Sequence, residues 1–211
     1  MGLWNPDALT FAGGFYSTPG VGGPKDDPTG YIAPNREEIL DYNIVYDYRY
    51  ELILGTVDEI RAQVYRRAAR PTALTYRFER DRQGWYYADA TDAGWPIRGE
   101  LEVRLDGPHP QILSPNFFVR AQAAPQLAIE AAFSTGRTNA TMFWRSLGQA
   151  EFNTAQAWNF PVRSDGRFHR YEIRLAESPA YRGVISQLRL DAVPVGDKTA
   201  GVRLKSVTLG K

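Results

Sequence analysis

The chain contains no cysteine, so neither a disulfide nor a thiolate-ligated zinc can contribute to it, and its redox compartment is left open. It also lacks an excess of charge of either sign. Its 25 Lys plus Arg against 24 Asp plus Glu leave +1 at pH 7, too little to steer it onto nucleic acid or an anionic membrane. No apolar run approaches the ~20 residues that a bilayer-spanning helix needs, so membrane insertion is not expected. The start, MGLWNPDALTFAGG, has no basic segment followed by an apolar stretch and does not read as a signal peptide. Histidine is scarce, with only two in the chain. His109 lies between prolines in a turn and His169 falls on the inward phase of a strand pattern, which reads as a partnered core imidazole. No HExxH spacing offers a helical zinc site.

What the chain has in quantity is aromatic residues, 13% of the total with five Trp and twelve Tyr, more than a minimal core consumes. Residues 1 to about 35 are rich in Gly and Pro and show no periodicity, so they read as an ordered coil or wrapping arm anchored by Trp4, Phe11, Phe15, Tyr16 and Tyr31. Asn35 followed by REEIL has the pattern of a helix cap, and DYNIVYDYRYELIL favours a strand or hairpin. In GTVDEIRAQVYRRAARP, Thr56 and Glu59 form a capping box, Ile60, Val64 and Ala68 an apolar stripe, and Pro71 a stop. Arg66, Arg67 and Arg70 fall where the helix dipole favours cations.

From Leu74 onward the period changes to two. LTYRF, LEVRL, LAIEAAF, TMFWRSL, RFHRYEIRL and GVRLKSVTL each place apolar residues on one face, separated by turns such as LDGPHP and RSDGR. In YRGVISQLRLDAVP the alternation assigns Val184, Leu188 and Leu190 to the core and Arg189 and Asp191 to the opposite face. The expected fold is all-β: an antiparallel β-sandwich at residues 74–211, preceded at residues 1–73 by an extension of coil and one or two short helices.

Phosphate binding is not supported, because GGFYSTPGVGG is followed by Pro24, Lys25 and two aspartates, and the P-loop spacing with Gly-Lys opening a helix fails. The strand acids mostly alternate with arginines, as cross-strand partners do. Asp89 and Asp92 differ, since they share YADATDAGW with Tyr87 and Trp95. That mixture of rings and carboxylates suits either a sugar-binding rim or an ordinary turn. Further ring and polar candidates for a sugar are Arg145, Asn153 and Trp158, whereas Trp85 and Trp144 fall at core positions.

YRFERDRQGWYY, MFWRS, FPVRSDGRFHRYEIRL, YRGVISQLRLDAVP and the final VRLKSVTLGK resemble, in order, the jelly-roll modules of the galactose-binding-like class. Such modules are often attached to bacterial enzymes that degrade or modify polysaccharides. The resemblance implies a jelly roll that binds a glycan or polysaccharide without catalysis, in an extracellular or cell-surface setting, beside an adjoining catalytic domain. It also implies a structural calcium, for which Glu79, Asp81 and Asp191 are the matching acids, although ERDRQGW carries arginine and glutamine where the pattern is richer in Asp and Gly. The rival expectation is an assembly protein whose aromatic N-terminal arm docks on a neighbouring subunit. A sugar-active enzyme working through Asp89 or Asp92 ranks last.

Overall fold

The computed structural model describes residues 1–6, 10–15, 30–35, 39–40, 45, 47–67 and 72–211. They divide into two compact units, the first within residues 1–36 and 45–69, the second within 37–44 and 70–211.

In the first unit, β1 (Gly2–Trp4), β2 (Thr10–Phe15), β3 (Gly30–Asn35) and β4 (Glu51–Ile53) precede one helix, α1 (Val57–Arg67). β1 pairs antiparallel with β4, and β2 with β3. The arm read as coil thus contains strands. It shows no alternation because β3 is exposed at nearly every position, so no buried face imposes a period of two. Asn35 ends β3, where it pairs with Thr10, whose hydroxyl donates to its carbonyl. Ile39 and Leu40 are not helical, and Arg36 to Glu38 lie outside the described residues, as do Tyr16, Ala68, Arg70 and Pro71. The capping box forms as expected. The Glu59 carboxylate accepts from the Thr56 amide at 2.8 Å, and Thr56 Oγ1 accepts from the Glu59 amide at 3.4 Å. At the other end of α1, Arg67 donates twice to Glu51 and lies 4.5 Å from the centre of the Trp4 ring.

The second unit is the sandwich. Its strands are β5 (Leu74–Arg77), β6 (Tyr86–Ala88), β7 (Thr91–Asp92), β8 (Leu101–Arg104), β9 (Gln111–Leu113), β10 (Val119–Arg120), β11 (Gln126–Ser134), β12 (Asn139–Ser146), β13 (Ala157–Pro161), β14 (His169–Ile173), β15 (Val184–Asp191) and β16 (Gly201–Gly210). One sheet has the order β13-β12-β15-β9-β6, with β10 also on β15. The other runs β14-β11-β16-β8-β7, with β5 also on β16. The pairings are antiparallel. This is the all-β jelly-roll sandwich expected, and its last strand runs through the middle of its sheet.

The inward rows are those the alternation assigns. Leu101, Val103, Leu127, Ile129, Phe133, Met142, Trp144 and Ile173 are all buried, as is Trp85, which meets Phe78 edge-on. Each central strand carries one extra residue relative to a neighbour. β15 gains Ser186 against β12, and β16 gains Lys205 against β11. The bulge corrects one expectation: Val184 is not a core residue, because the extra residue flips the parity and buries Ile185 instead.

Phe133 is fully buried and meets the Tyr171 ring edge-on at 5.4 Å. Phe133→Ala is expected to cost about 3–5 kcal/mol. In urea this should appear as a lower midpoint with an unchanged slope.

Candidate functional site

The loop expected to form a sugar rim is built around a buried ion pair. Arg82 Nε donates to Asp92 Oδ2, with both side chains nearly excluded from solvent. Asp92 Oδ2 also accepts from the Tyr87 hydroxyl at 3.2 Å, and Oδ1 from the Gly94 amide at 2.9 Å. Asp92 therefore spends its oxygens inside the protein. Tyr87 pairs with the core residue Ile112, so its ring takes the inward phase, and burial pushes its hydroxyl pKa up. Asp89 is exposed in a turn at φ +51°, where its carbonyl accepts from the Gly107 amide. Trp95 is 54% exposed beside a pocket of about 170 Å³ lined by Gly94, Pro96, Arg98 and Glu100.

Nor do the other ring candidates join that loop. Trp158 lies on β13 opposite buried Met142, on the core side of an edge strand. β13 and β6 are opposite edges of the sheet, four strand spacings or about 19 Å apart. Tyr87 and Trp158 therefore share no concavity. Asn153 is exposed and serves its own turn, with Oδ1 accepting from the Ala155 amide. Breaking the ion pair should be costly, because a buried charge is left uncompensated. Asp92→Asn is expected to lose about 3 kcal/mol in chemical denaturation, and a loss below about 1 kcal/mol would refute a structural role.

The structure brings a different set together, on the outer face of the sheet containing β15. Register and burial place Phe143 and Arg145 of β12, Gln187, Arg189 and Asp191 of β15, Leu113 of β9 and Tyr86 of β6 on that face. Arg189 donates through Nη2 to Asp191 Oδ2 at 3.0 Å. Its Nε sits 2.9 Å from Oδ1 without hydrogen-bond alignment, leaving both atoms without a hydrogen-bond partner. The guanidinium lies 4.1 Å from the centre of the Phe143 ring and 4.8 Å from that of Phe152. Gln187, only 1% exposed despite facing outward, donates to the Tyr86 hydroxyl and the Ser114 carbonyl, both at 2.8 Å. Arg145 donates to the Ala150 carbonyl at 2.7 Å and to Asn116 Oδ1 at 3.2 Å, which ties the β12–β13 loop and Phe152 to the face.

The opposite sheet's outer face is different in kind. There Arg170 pairs in register with Glu130, Arg203 with Glu102, and Lys205 approaches Glu130 at 3.7 Å, as on an ordinary solvated sheet. Of the outer-face cluster, sequence reasoning identified Arg145 and Asp191. Tyr86 was within reach, because alternation from Trp85 turns it outward. Phe152 was not, since only the path of its loop brings it over β15.

Burial raises the Asp191 pKa above the ordinary carboxylate value, and Arg189 opposes the rise. Arg189→Met should therefore move the Asp191 midpoint further up, as read by carboxyl-detected NMR titration. A downward move would show that the pair is not coupled.

The expected calcium ligands do not fit a metal. Asp191 is engaged by Arg189, Asp81 Oδ1 accepts from the Gln83 amide, and Glu79 and Asp81 follow β5 in the other sheet. Among the described residues no three His, Cys, Asp or Glu gather as a metal site. His169 is no core imidazole. At an edge strand it stays partly exposed, with Nε2 at 3.0 Å from both Asp165 oxygens. His109 Nδ1 lies 3.4 Å from the Pro194 carbonyl.

No protein-family model and no curated protein matches the chain. Similar solved structures include a low-affinity xylan-binding module of family 86 from Roseburia intestinalis, at 13% identity and a TM-score of 0.44, covering 65% of this chain and 93% of that one. A family 29 carbohydrate-binding module from Piromyces equi matches at 10% identity and a TM-score of 0.44, over 65% and 91%. A family two carbohydrate esterase from Cellvibrio japonicus matches at 14% identity and 0.38, over 66% of this chain and 34% of its own. Likenesses of this strength carry no argument about what the present chain binds.

Proposed function

We propose that the β-sandwich binds a glycan, without catalysis, on the outer face centred on β12, β15 and β9. The observation that carries this reading is the contrast between the two outer faces. One is mainly alternating charge, with a single ring among the described residues, Phe168, against Arg203 and Lys205. The other holds rings, an amide and a half-buried guanidinium–carboxylate pair. A sugar offers apolar ring faces and a rim of hydroxyls that both donate and accept, and such a mixed surface meets both needs. Asp191 is the one carboxylate among the strand residues of this face, whereas glycoside hydrolysis by the usual route uses two. Asp92, with its oxygens held by Arg82, Tyr87 and Gly94, is poorly placed to serve as a catalytic acid or base.

Thr141 lies on β12 between Asn159 and Asp191, at the margin of the cluster. Thr141→Trp should obstruct the face and Phe143→Ala remove one of its rings. Each is expected to weaken retardation on a binding polysaccharide in affinity electrophoresis by about tenfold, the value of one good contact. Arg170→Trp, on the opposite sheet, should change nothing. Equal retardation of all three variants would place the ligand elsewhere, and no retention of the wild type on any polysaccharide would remove the reading altogether.

A second reading rests on the first unit. Its described residues bury one hydrophobic side chain, Ile53, while Tyr31, Ile32, Leu52, Leu54 and Tyr65 are all more than half exposed. A structural role, with this unit docked on a neighbouring subunit or adjoining domain, would cover them. Under that reading, light scattering should show an oligomer that deletion of residues 1–35 dissolves.

A further inference from the structure

Resting on the glycan reading, we propose that the ligand of the β12–β15–β9 face is an anionic glycan, one bearing a carboxylate or a sulfate ester, and that Arg145 is its counter-charge. Charge does not balance over the face. Arg189 is matched by Asp191 at 3.0 Å. Arg145 is not matched by any acid among the described residues: its two hydrogen bonds end on neutral acceptors, the Ala150 carbonyl and the Asn116 side-chain oxygen. Its Nε is buried without a partner. The face therefore carries an uncompensated, half-buried guanidinium that shares the Phe152 ring with Arg189, at 5.5 and 4.8 Å respectively.

At the far end of β15, Arg120 pairs with outward-facing Val184 and adds a second positive charge. On the opposite face the half-buried arginine, Arg203, meets Glu102 in register and Glu100 at 3.1 Å, and the arginines there that have no acid in register, Arg77 and Arg104, are exposed to water. A guanidinium fork accepts a carboxylate or sulfate through parallel N–H donors, in a partly desolvated place where such a bond is worth more than in bulk water. Since the whole chain carries only +1, general polyanion attraction is weak, and loss of the preference in an Arg145 variant is what assigns it to this face.

The test is affinity electrophoresis of the full chain on polygalacturonate, on its methyl-esterified neutral form, on a sulfated galactan and on the desulfated galactan. At least one anionic member should retard the protein about tenfold more strongly than its neutral counterpart. Raising NaCl from 50 to 500 mM should erase the difference. Arg145→Gln should lose the preference, and Arg145→Lys should keep only part of it, since an ammonium retains the charge without the fork. The two anionic sources separate by pH: carboxylate-dependent retardation fades below about pH 4 and sulfate-dependent retardation does not. Equal binding to charged and neutral members, or a preference intact in Arg145→Gln, overturns the charge assignment while leaving glycan binding standing. Binding only to neutral polysaccharides does the same, and no binding to any polysaccharide overturns both.

Discussion

The sandwich depends on β15 being covered on both faces. Toward the interior, Ile185, Leu188 and Leu190 pack against the opposite sheet and need only shape and hydrophobicity. Toward the exterior, Gln187, Arg189 and Asp191 are withdrawn from water by flanking strands and a folded-over loop, so each polar group must find a partner or cost free energy. The partners it finds are chemically specific. Gln187 satisfies its amide on Tyr86 and Ser114, and Arg189 is clamped by Asp191 between two phenyl rings. A central strand that is polar outside and still buried is unusual for an antiparallel sheet with one solvated face, which is why this face differs from its counterpart.

The same constraint organises the flanking segments. Arg145 leaves the strand on the outer side and reaches the β12–β13 loop, so that loop is held by the charge of the face it covers. On the other side, Ser114 is fully buried after β9, where its hydroxyl accepts from the Leu188 amide and its carbonyl accepts from Gln187. Strand and loops form one hydrogen-bonded layer rather than a sheet with loose connections. The rim around Asp92 obeys a parallel logic with a different result. Its ion pair with Arg82 is turned inward and consumed by the fold.

The architecture was legible in the sequence because alternation reports burial directly, and LEVRL, LAIEAAF and RFHRYEIRL each have one buried and one wet face. The capping box of α1 was legible for a similar reason, since Thr56 and Glu59 act on each other across three residues. The coil reading of the arm failed because strands without a buried face carry no period. The site was less legible, because Tyr87 and Trp158 are attractive as residue types yet the sheet order puts them at opposite edges, both on the inward phase. Arg189 was read as the outward phase and Asp191 as that or a calcium ligand, since nothing local says that a loop ten residues long will return a phenylalanine over them.

The extra residue at Ser186 makes β15 two short ladders of opposite parity joined end to end. Sequence drift in the two halves is therefore uncoupled. The half after the bulge carries the outward polar chemistry of Gln187, Arg189 and Asp191, while the half before it meets β10 and β12. The outward residues after the bulge could thus change without disturbing the register of Val184 and Ile185 that seats β10 and β12.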